Sequence, residues 1–160
     1  MNKSNDSKLG RAAKMEGTMV PYWTNVDMQE PHMAFVGRWC PLHRGHTWII
    51  EQKRKENPGV PILVLIRDTK FDTFNVLKRA ELVIRWMKYS KINGSVVVIP
   101  DIEGVYYGRG VGYNVDELKP PDDVKVISAT AIREKIHAGD ESWKGLVAPG
   151  TADYLEEIIG

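Results

Sequence analysis

The sequence predicts an α/β fold in which a parallel sheet is covered by helices on both faces. Short apolar runs alternate along the chain with longer segments whose apolar residues recur at helical spacing. The apolar runs are continuous rather than alternating, as is typical of strands buried on both faces. Because crossovers between parallel strands are right-handed, this alternation predicts a single Rossmann-like domain.

Four apolar runs are predicted as strands. The first run ends at Gly37 and the third ends before Pro100, and both residue types favour turns. In a parallel sheet, ligands bind beyond the carboxyl ends of the strands, so the residues just after each run are the candidates for function. The predicted strands are residues 33–36, 61–66, 95–99 and 124–127.

Four longer segments are predicted as helices. In the first, the apolar Trp48 and Ile50 are predicted to point inward and the charged Lys53 to point outward. Gly139 ends the third helix. Residues 102–123 are rich in Gly, Tyr and Pro, and they predict a loop with one short helix. The predicted helices are residues 47–56, 75–89, 130–138 and 152–159.

Length and composition predict one domain in residues 21–160, preceded by a mobile tail in residues 1–20. The chain has 160 residues and a formal net charge of +1, which gives no reason to expect a nucleic-acid partner. The tail is charged and has few apolar side chains. The single cysteine, Cys40, excludes an intrachain disulfide and favours a cytoplasmic location. No run of about 18 apolar residues is present, so no membrane partner is expected.

The residues after the first predicted strand form the first candidate site. Gly37 permits a turn and a close approach of the backbone, and Arg38 is a permanent cation that can bind phosphate through two donors. His43 and His46 lie three residues apart at a predicted helix start, so they share one face, and Gly45 leaves room for a ligand between them. The backbone N–H groups of this helix start favour an anion in the same space.

The residues after the fourth predicted strand form a second anion-binding helix start. Ser128 or Thr130 can cap the helix that follows. Arg133 lies one helical turn after Thr130, so its guanidinium can reach the same end of the helix. The two segments together predict a phosphate site between two helix starts.

These two segments resemble the signatures of the small nucleotidylyltransferases that carry two histidines. Residues 37–46 are similar to the pattern G-x-x-x-P-x-H-x-G-H, and residues 127–133 are similar to I-S-x-T-x-x-R. The resemblance covers residues 32–160. The part from residue 127 onward is most similar to archaeal-type nicotinamide mononucleotide adenylyltransferases, whereas the first motif is shared with cytidylyltransferases and phosphopantetheine adenylyltransferases. The resemblance implies transfer of AMP or CMP, from ATP or CTP, to a small phosphorylated acceptor with release of pyrophosphate.

The resemblance also implies roles for individual residues. It assigns His43, His46 and Arg133 to catalysis, with His46 on the transferred phosphate, and it places Arg38 and Arg133 on the outer phosphates. Mg²⁺ would be carried by the triphosphate, without a metal cage of protein side chains. A zinc site on the two histidines and Cys40 is the alternative, but no second cluster completes a tetrahedral site. The nucleotide-binding residues implied in this way are Gly37, Arg38, Gly45, Lys70, Ser128 and Thr130.

The loop after the third predicted strand is the candidate acceptor site. Tyr106 and Tyr107 offer aromatic platforms, Arg109 offers a cation, and the neighbouring glycines make the backbone flexible. A packed turn region is the alternative for this loop, which departs most from the nicotinamide-specific relatives.

A nucleotide-binding regulatory module without turnover is the alternative to an enzyme. The sequence leaves open whether the nucleotide is ATP or CTP and whether the chain forms a homo-oligomer.

Overall fold

A computed structural model describes residues 22–70, 72–110 and 112–160, and within them the chain forms one four-stranded sheet. The sheet order is β1-β4-β3-β2, with β2, β3 and β4 parallel and β1 antiparallel to β4. The predicted tail, residues 1–20, lies outside the described residues. The strands are β1 (Trp23–Thr24), β2 (Met33–Gly37), β3 (Ile62–Asp68) and β4 (Gly94–Pro100).

Five α-helices and one 3₁₀ helix are described, and side-chain caps fix where several of them begin. The Asn75 side chain accepts a hydrogen bond from the Lys78 N–H at 2.9 Å and starts the second helix. Gly139 has a φ of 74° and ends the fourth helix in the left-handed region that favours glycine. The helices are α1 (Arg44–Glu56), α2 (Val76–Tyr89), α3 (Asp122–Lys125), α4 (Ala129–Ala138), the 3₁₀ helix (Glu141–Gly145) and α5 (Ala152–Ile159).

The main core lies on the face of the sheet that α1 and α2 cover. Ile62, Val64 and Ile66 alternate along β3, so all three point to this face, and all are fully buried. They pack with Ile50 of α1 and Val83 of α2 in one cluster. Burial of each such side chain stabilises the folded state by about 1.5–3 kcal/mol. This core therefore fixes the positions of the strand ends, after which the candidate site residues follow.

A second core cluster joins α2 to the C-terminal helices. Leu82 of α2 packs with Ile132 of α4 and Leu155 of α5, and the same cluster includes Cys40 from the loop after β2. The Arg85 guanidinium of α2 also lies 4.3 Å from the centre of a tyrosine ring of α5. This cluster therefore holds the start of α4 against the loop after β2.

The predicted fourth strand, residues 124–127, is wrong. This run lies in α3 and in the turn that leads to α4, and Val126 is 75% exposed. Asp122 and Asp123 lie in the first turn of α3, where negative charge stabilises a helix. A run of four apolar residues is too short for its periodicity to separate a strand from a helix.

The sheet also differs from the prediction at its two edges. The antiparallel strand β1 was not expected, and it pairs Trp23 with Val96. At the opposite edge, the second face of β2 is not covered, since Ala34 is exposed and Val36 is 43% exposed.

The predicted α/β class with a Rossmann-like sheet is nonetheless confirmed by the three parallel strands and their crossover helices. In the described part of the chain, every helix is too short or too polar to cross a membrane.

Candidate active site

A cleft of about 680 Å³ opens beyond the carboxyl ends of the three parallel strands. Arg38 follows β2, Lys70 follows β3 and Asp101 follows β4, and all three line the cleft. This is the edge at which a parallel sheet binds ligands. The cleft therefore contains Arg38 and Lys70, two of the residues for which the sequence predicts nucleotide binding.

His43 and His46 are stacked at the start of α1. Their ring centres lie 3.6 Å apart and the ring planes differ by 18°. His43 is the N-cap of the helix, and its Nδ1 accepts hydrogen bonds from the backbone N–H of Gly45 at 3.0 Å and of His46 at 3.4 Å. In return, Nδ1 of His46 accepts a hydrogen bond from the backbone N–H of His43 at 3.2 Å. Because both Nδ1 atoms accept, each neutral ring carries its proton on Nε2, which leaves two N–H donors for a ligand.

Both histidines are uncharged at neutral pH. Burial lowers the pKa of His43 from its ordinary value of 6.5 to about 4. Burial, followed by repulsion from the neighbouring His43, lowers the pKa of His46 to about 3. The pair therefore acts on an anion through hydrogen bonds and not through a positive charge.

The capping occupies two of the backbone N–H groups that were expected to bind an anion at this helix start. The N–H groups of Gly45 and His46 were expected to face an anion, but the His43 ring accepts from both. Gly45 was expected to leave room for a ligand, and the His43 ring fills that room: a Cβ atom at residue 45 would lie 2.9 Å from its Cε1. Side-chain capping therefore takes precedence over anion binding by the backbone.

Trp39 fixes the orientation of His46. The two rings meet edge to face with their centres 4.9 Å apart, and the indole N–H of Trp39 donates to the carbonyl oxygen of Leu65 at 3.0 Å. Trp39 has a φ of 54°, in the region that favours glycine, and is 7% exposed. Gly37 is required beside it, because a Cβ atom at residue 37 would lie 2.9 Å from the indole ring. Trp39 is thus a packing residue.

The second motif lies against the first. The Ser128 hydroxyl accepts a hydrogen bond from the Ala131 N–H at 3.1 Å and caps α4. Arg133 donates through Nη1 to the carbonyl oxygen of Cys40 at 2.6 Å and through Nη2 to Oγ1 of the exposed Thr130 at 3.3 Å. Arg133 therefore ties the start of α4 to the loop between β2 and α1.

An ion-pair network around the buried Asp72 carboxylate links the loops after β2 and β3. The Asp72 carboxylate lies 2.5 Å from Nη2 of Arg38 and 2.9 Å from Nη2 of Arg79, and it accepts a hydrogen bond from the Thr69 hydroxyl. Arg79 is fully buried and donates to the carbonyl oxygens of Phe74, Arg38 and Arg67. Arg79 therefore has a structural role, and Asp72 is a residue of the site that the sequence did not single out. The position of Asp72 just after β3 was the only signal that could have found it.

The predicted acceptor residues do not come to the histidines. Tyr106 and Tyr107 line a separate groove of about 800 Å³, which β2 and the C-terminal end of α1 also line, and Arg109 is exposed. Since α1 has 13 residues, it holds this end about 20 Å from His43. The loop therefore faces β2 across this groove.

Metal ligands of the protein itself do not cluster in the described residues. No three His, Cys, Asp or Glu side chains among them are close enough to hold a metal ion. In the zinc alternative, His43 and His46 would have to bind the metal through Nε2, because both Nδ1 atoms already accept backbone hydrogen bonds.

The Rossmann-like sheet, the two-histidine helix start and the second capped helix start are the features in which the sequence resembles the nucleotidylyltransferases. The chain is related to that class, as its resemblance predicted. No family model matches the chain.

Its curated relatives include archaeal proteins named nicotinamide-nucleotide adenylyltransferase. The one from Pyrococcus horikoshii is 27% identical over 156 aligned residues, which cover 79% of this chain and 83% of the relative. The one from Methanococcus aeolicus is 27% identical over 158 residues, covering 78% of this chain and 88% of the relative. The alignments therefore cover most of this chain and most of each relative.

Proposed function

We propose that this protein is an adenylyltransferase that transfers AMP from ATP to a small phosphorylated acceptor and releases pyrophosphate. The names of the archaeal relatives support ATP over CTP, and they make nicotinamide mononucleotide the first acceptor to test. The single cysteine, buried and free, supports a reducing compartment, so we propose a cytoplasmic enzyme.

The histidine pair at the start of α1 is the main support for this proposal. Two neutral rings, stacked 3.6 Å apart and held by backbone hydrogen bonds, supply two fixed Nε2–H donors. A neutral donor binds a phosphate oxygen most strongly when negative charge grows on that oxygen. Such donors favour a phosphoryl-type transition state more than the ground state, which is the requirement for catalysis.

In the proposed reaction, an oxygen of the acceptor phosphate attacks the α-phosphorus of ATP. A new bond forms between that oxygen and the α-phosphorus, and the bond from the α-phosphorus to the α–β bridging oxygen breaks. Pyrophosphate leaves with the bonding electrons, and His46 stabilises the charge on the transferred phosphate. Mg²⁺ enters with the triphosphate as part of the substrate and offsets its charge.

The cations around the cleft suit the outer phosphates. Arg38 and Lys70 line it, and Arg133 holds the second helix start beside the histidines. Guanidinium groups bind phosphate through two parallel donors, so Arg38 and Arg133 are suited to the β- and γ-phosphates. The exposed Lys70 supplies a further point charge.

Pyrophosphate release tests the proposal, measured with four nucleoside triphosphates against nicotinamide mononucleotide and other phosphorylated acceptors. We expect turnover with ATP. His46→Ala should lower kcat about a hundredfold while ATP affinity stays close to that of the wild type, because its donor acts mainly in the transition state. The matched control is His137→Ala, since His137 is exposed on α4, and it should keep the wild-type rate. A His46→Ala variant that turns over at the wild-type rate would refute the assignment of His46 to catalysis, whereas wild-type protein that binds ATP and releases no pyrophosphate would favour a nucleotide-binding module without catalysis.

A further inference from the structure

We propose that Asp72 is a positioning residue that holds the Arg38 guanidinium ready for the triphosphate. This inference rests on the proposed function and adds to it a residue that acts through Arg38. Asp72 does not need to touch the nucleotide. Its carboxylate is 3% exposed and lies at the wall of the cleft, behind Arg38.

The Asp72 carboxylate is itself fixed. Oδ2 lies 2.9 Å from Nη2 of Arg79 and accepts from the Thr69 hydroxyl. Arg79 cannot move away, because it is fully buried and bonded to three carbonyl oxygens at 2.7–3.0 Å. One of those carbonyls belongs to Arg38, so the same arginine fixes the backbone of the residue that Asp72 holds.

Arg38 depends on this carboxylate for its position. Its side chain is 43% exposed, and within the described part of the chain Asp72 is the one group bonded to its guanidinium. The contact uses Nη2 alone, at 2.5 Å. A guanidinium has five donors in a fixed plane, so one anchored corner sets the direction of the remaining donors.

This arrangement lowers the cost of binding a phosphate. An arginine that is free in water loses rotamer freedom when a ligand immobilises it, and that loss weakens binding. A guanidinium already held by a buried carboxylate loses less. The opposite effect is repulsion between Asp72 and the phosphates, but the two arginines around the carboxylate leave the cluster with a net positive charge.

A double-mutant cycle tests this role, with ATP affinity measured by titration and KM and kcat measured by pyrophosphate release. Asp72→Asn should raise the Kd and KM for ATP about 3- to 10-fold, the effect of immobilising one side chain, and should leave kcat within about twofold. In an Arg38→Ala background, Asp72→Asn should no longer weaken ATP binding, because the guanidinium that Asp72 holds is absent. The matched control is Asp101→Asn, which removes a carboxylate from the same cleft but leaves Arg38 bonded to Asp72. Loss of negative charge alone tightens ATP binding, so only Asp72→Asn should weaken it.

Three results would overturn the inference. The first is that Asp72→Asn leaves ATP binding unchanged or makes it tighter. The second is that Asp72→Asn weakens ATP binding equally in the wild-type and the Arg38→Ala backgrounds. The third is that Asp101→Asn weakens ATP binding as much as Asp72→Asn does. If Asp72→Asn does not fold, Asp72→Glu replaces it, since it keeps the charge but moves the carboxylate by one methylene and should weaken ATP binding as well. The proposed function is refuted if the wild-type protein binds ATP but releases no pyrophosphate with any acceptor. In that case the ATP affinities of the double-mutant cycle still decide the role of Asp72. Wild-type protein that does not bind ATP refutes both.

Discussion

Acidification from neutral pH should destabilise the protein through the histidines at the start of α1. The folded state holds His43 with a pKa of about 4 and His46 with a pKa of about 3, against 6.5 in the unfolded chain. Below pH 6.5 the unfolded state therefore binds protons that the folded state does not, and the free energy of unfolding falls as the pH falls. The stabilising contribution is complete above pH 6.5 and is lost as the pH falls toward the two folded pKa values.

The magnitude follows from the two shifts. Each histidine that is protonated only in the unfolded state lowers the free energy of unfolding by about 1.4 kcal/mol per pH unit. Between about pH 7 and about pH 5, each histidine should therefore cost about 2 kcal/mol, and the pair about 4 kcal/mol. Asp101 and Asp140 also have lowered pKa values, but their contributions are lost only near the ordinary carboxyl range, well below pH 5. The expected loss is a large part of the 5–15 kcal/mol that is typical of a folded domain.

Urea unfolding at several pH values, followed by tryptophan fluorescence, measures this loss. His43→Asn is the informative variant, because asparagine is a strong N-cap residue but does not titrate. It should remove about half of the pH dependence between pH 7 and pH 5. His137→Asn removes an exposed histidine and should leave the slope unchanged. A wild-type protein whose unfolding free energy is the same at both pH values would refute the assignment of two neutral, buried histidines.

Two further variants test the arginines. Arg133→Ala should lower turnover about a hundredfold, because a fixed donor near the phosphates is lost. The unfolding free energy should fall by only about 1 kcal/mol, for the lost hydrogen bond to the Cys40 carbonyl oxygen. A wild-type rate of pyrophosphate release would show that Arg133 only joins the start of α4 to the loop before α1. Arg79→Met should lower the unfolding free energy by about 3–5 kcal/mol, because it removes one of the two arginines that pair with Asp72 and leaves three carbonyl oxygens without their donor. Urea unfolding checks this value, and a loss below about 1 kcal/mol would show that Arg79 is not the anchor of the network.

The sequence alone was sufficient for the fold class and for both motifs. Strands β2, β3 and β4 and helices α1, α2, α4 and α5 lie where the apolar patterns predict them, because long periodic segments and continuous apolar runs record burial directly. The two histidines, the capping Ser128 and the proximity of Arg133 follow from spacing within one or two helical turns. These features depend on residues that are near one another in the chain.

Only the tertiary structure decided the features that depend on distant partners. Residues 124–127 are apolar enough for a strand, but a strand needs a neighbouring strand to pair with, and this segment instead lies in α3 and in the turn before α4. The role of His43 as N-cap depends on its rotamer, which residue spacing does not fix. Asp72 became part of the site because Arg38, 34 residues earlier, and the buried Arg79 meet at its carboxylate. An ion pair between residues so far apart in the chain has no local pattern, since it forms only after the sheet has brought the ends of β2 and β3 together.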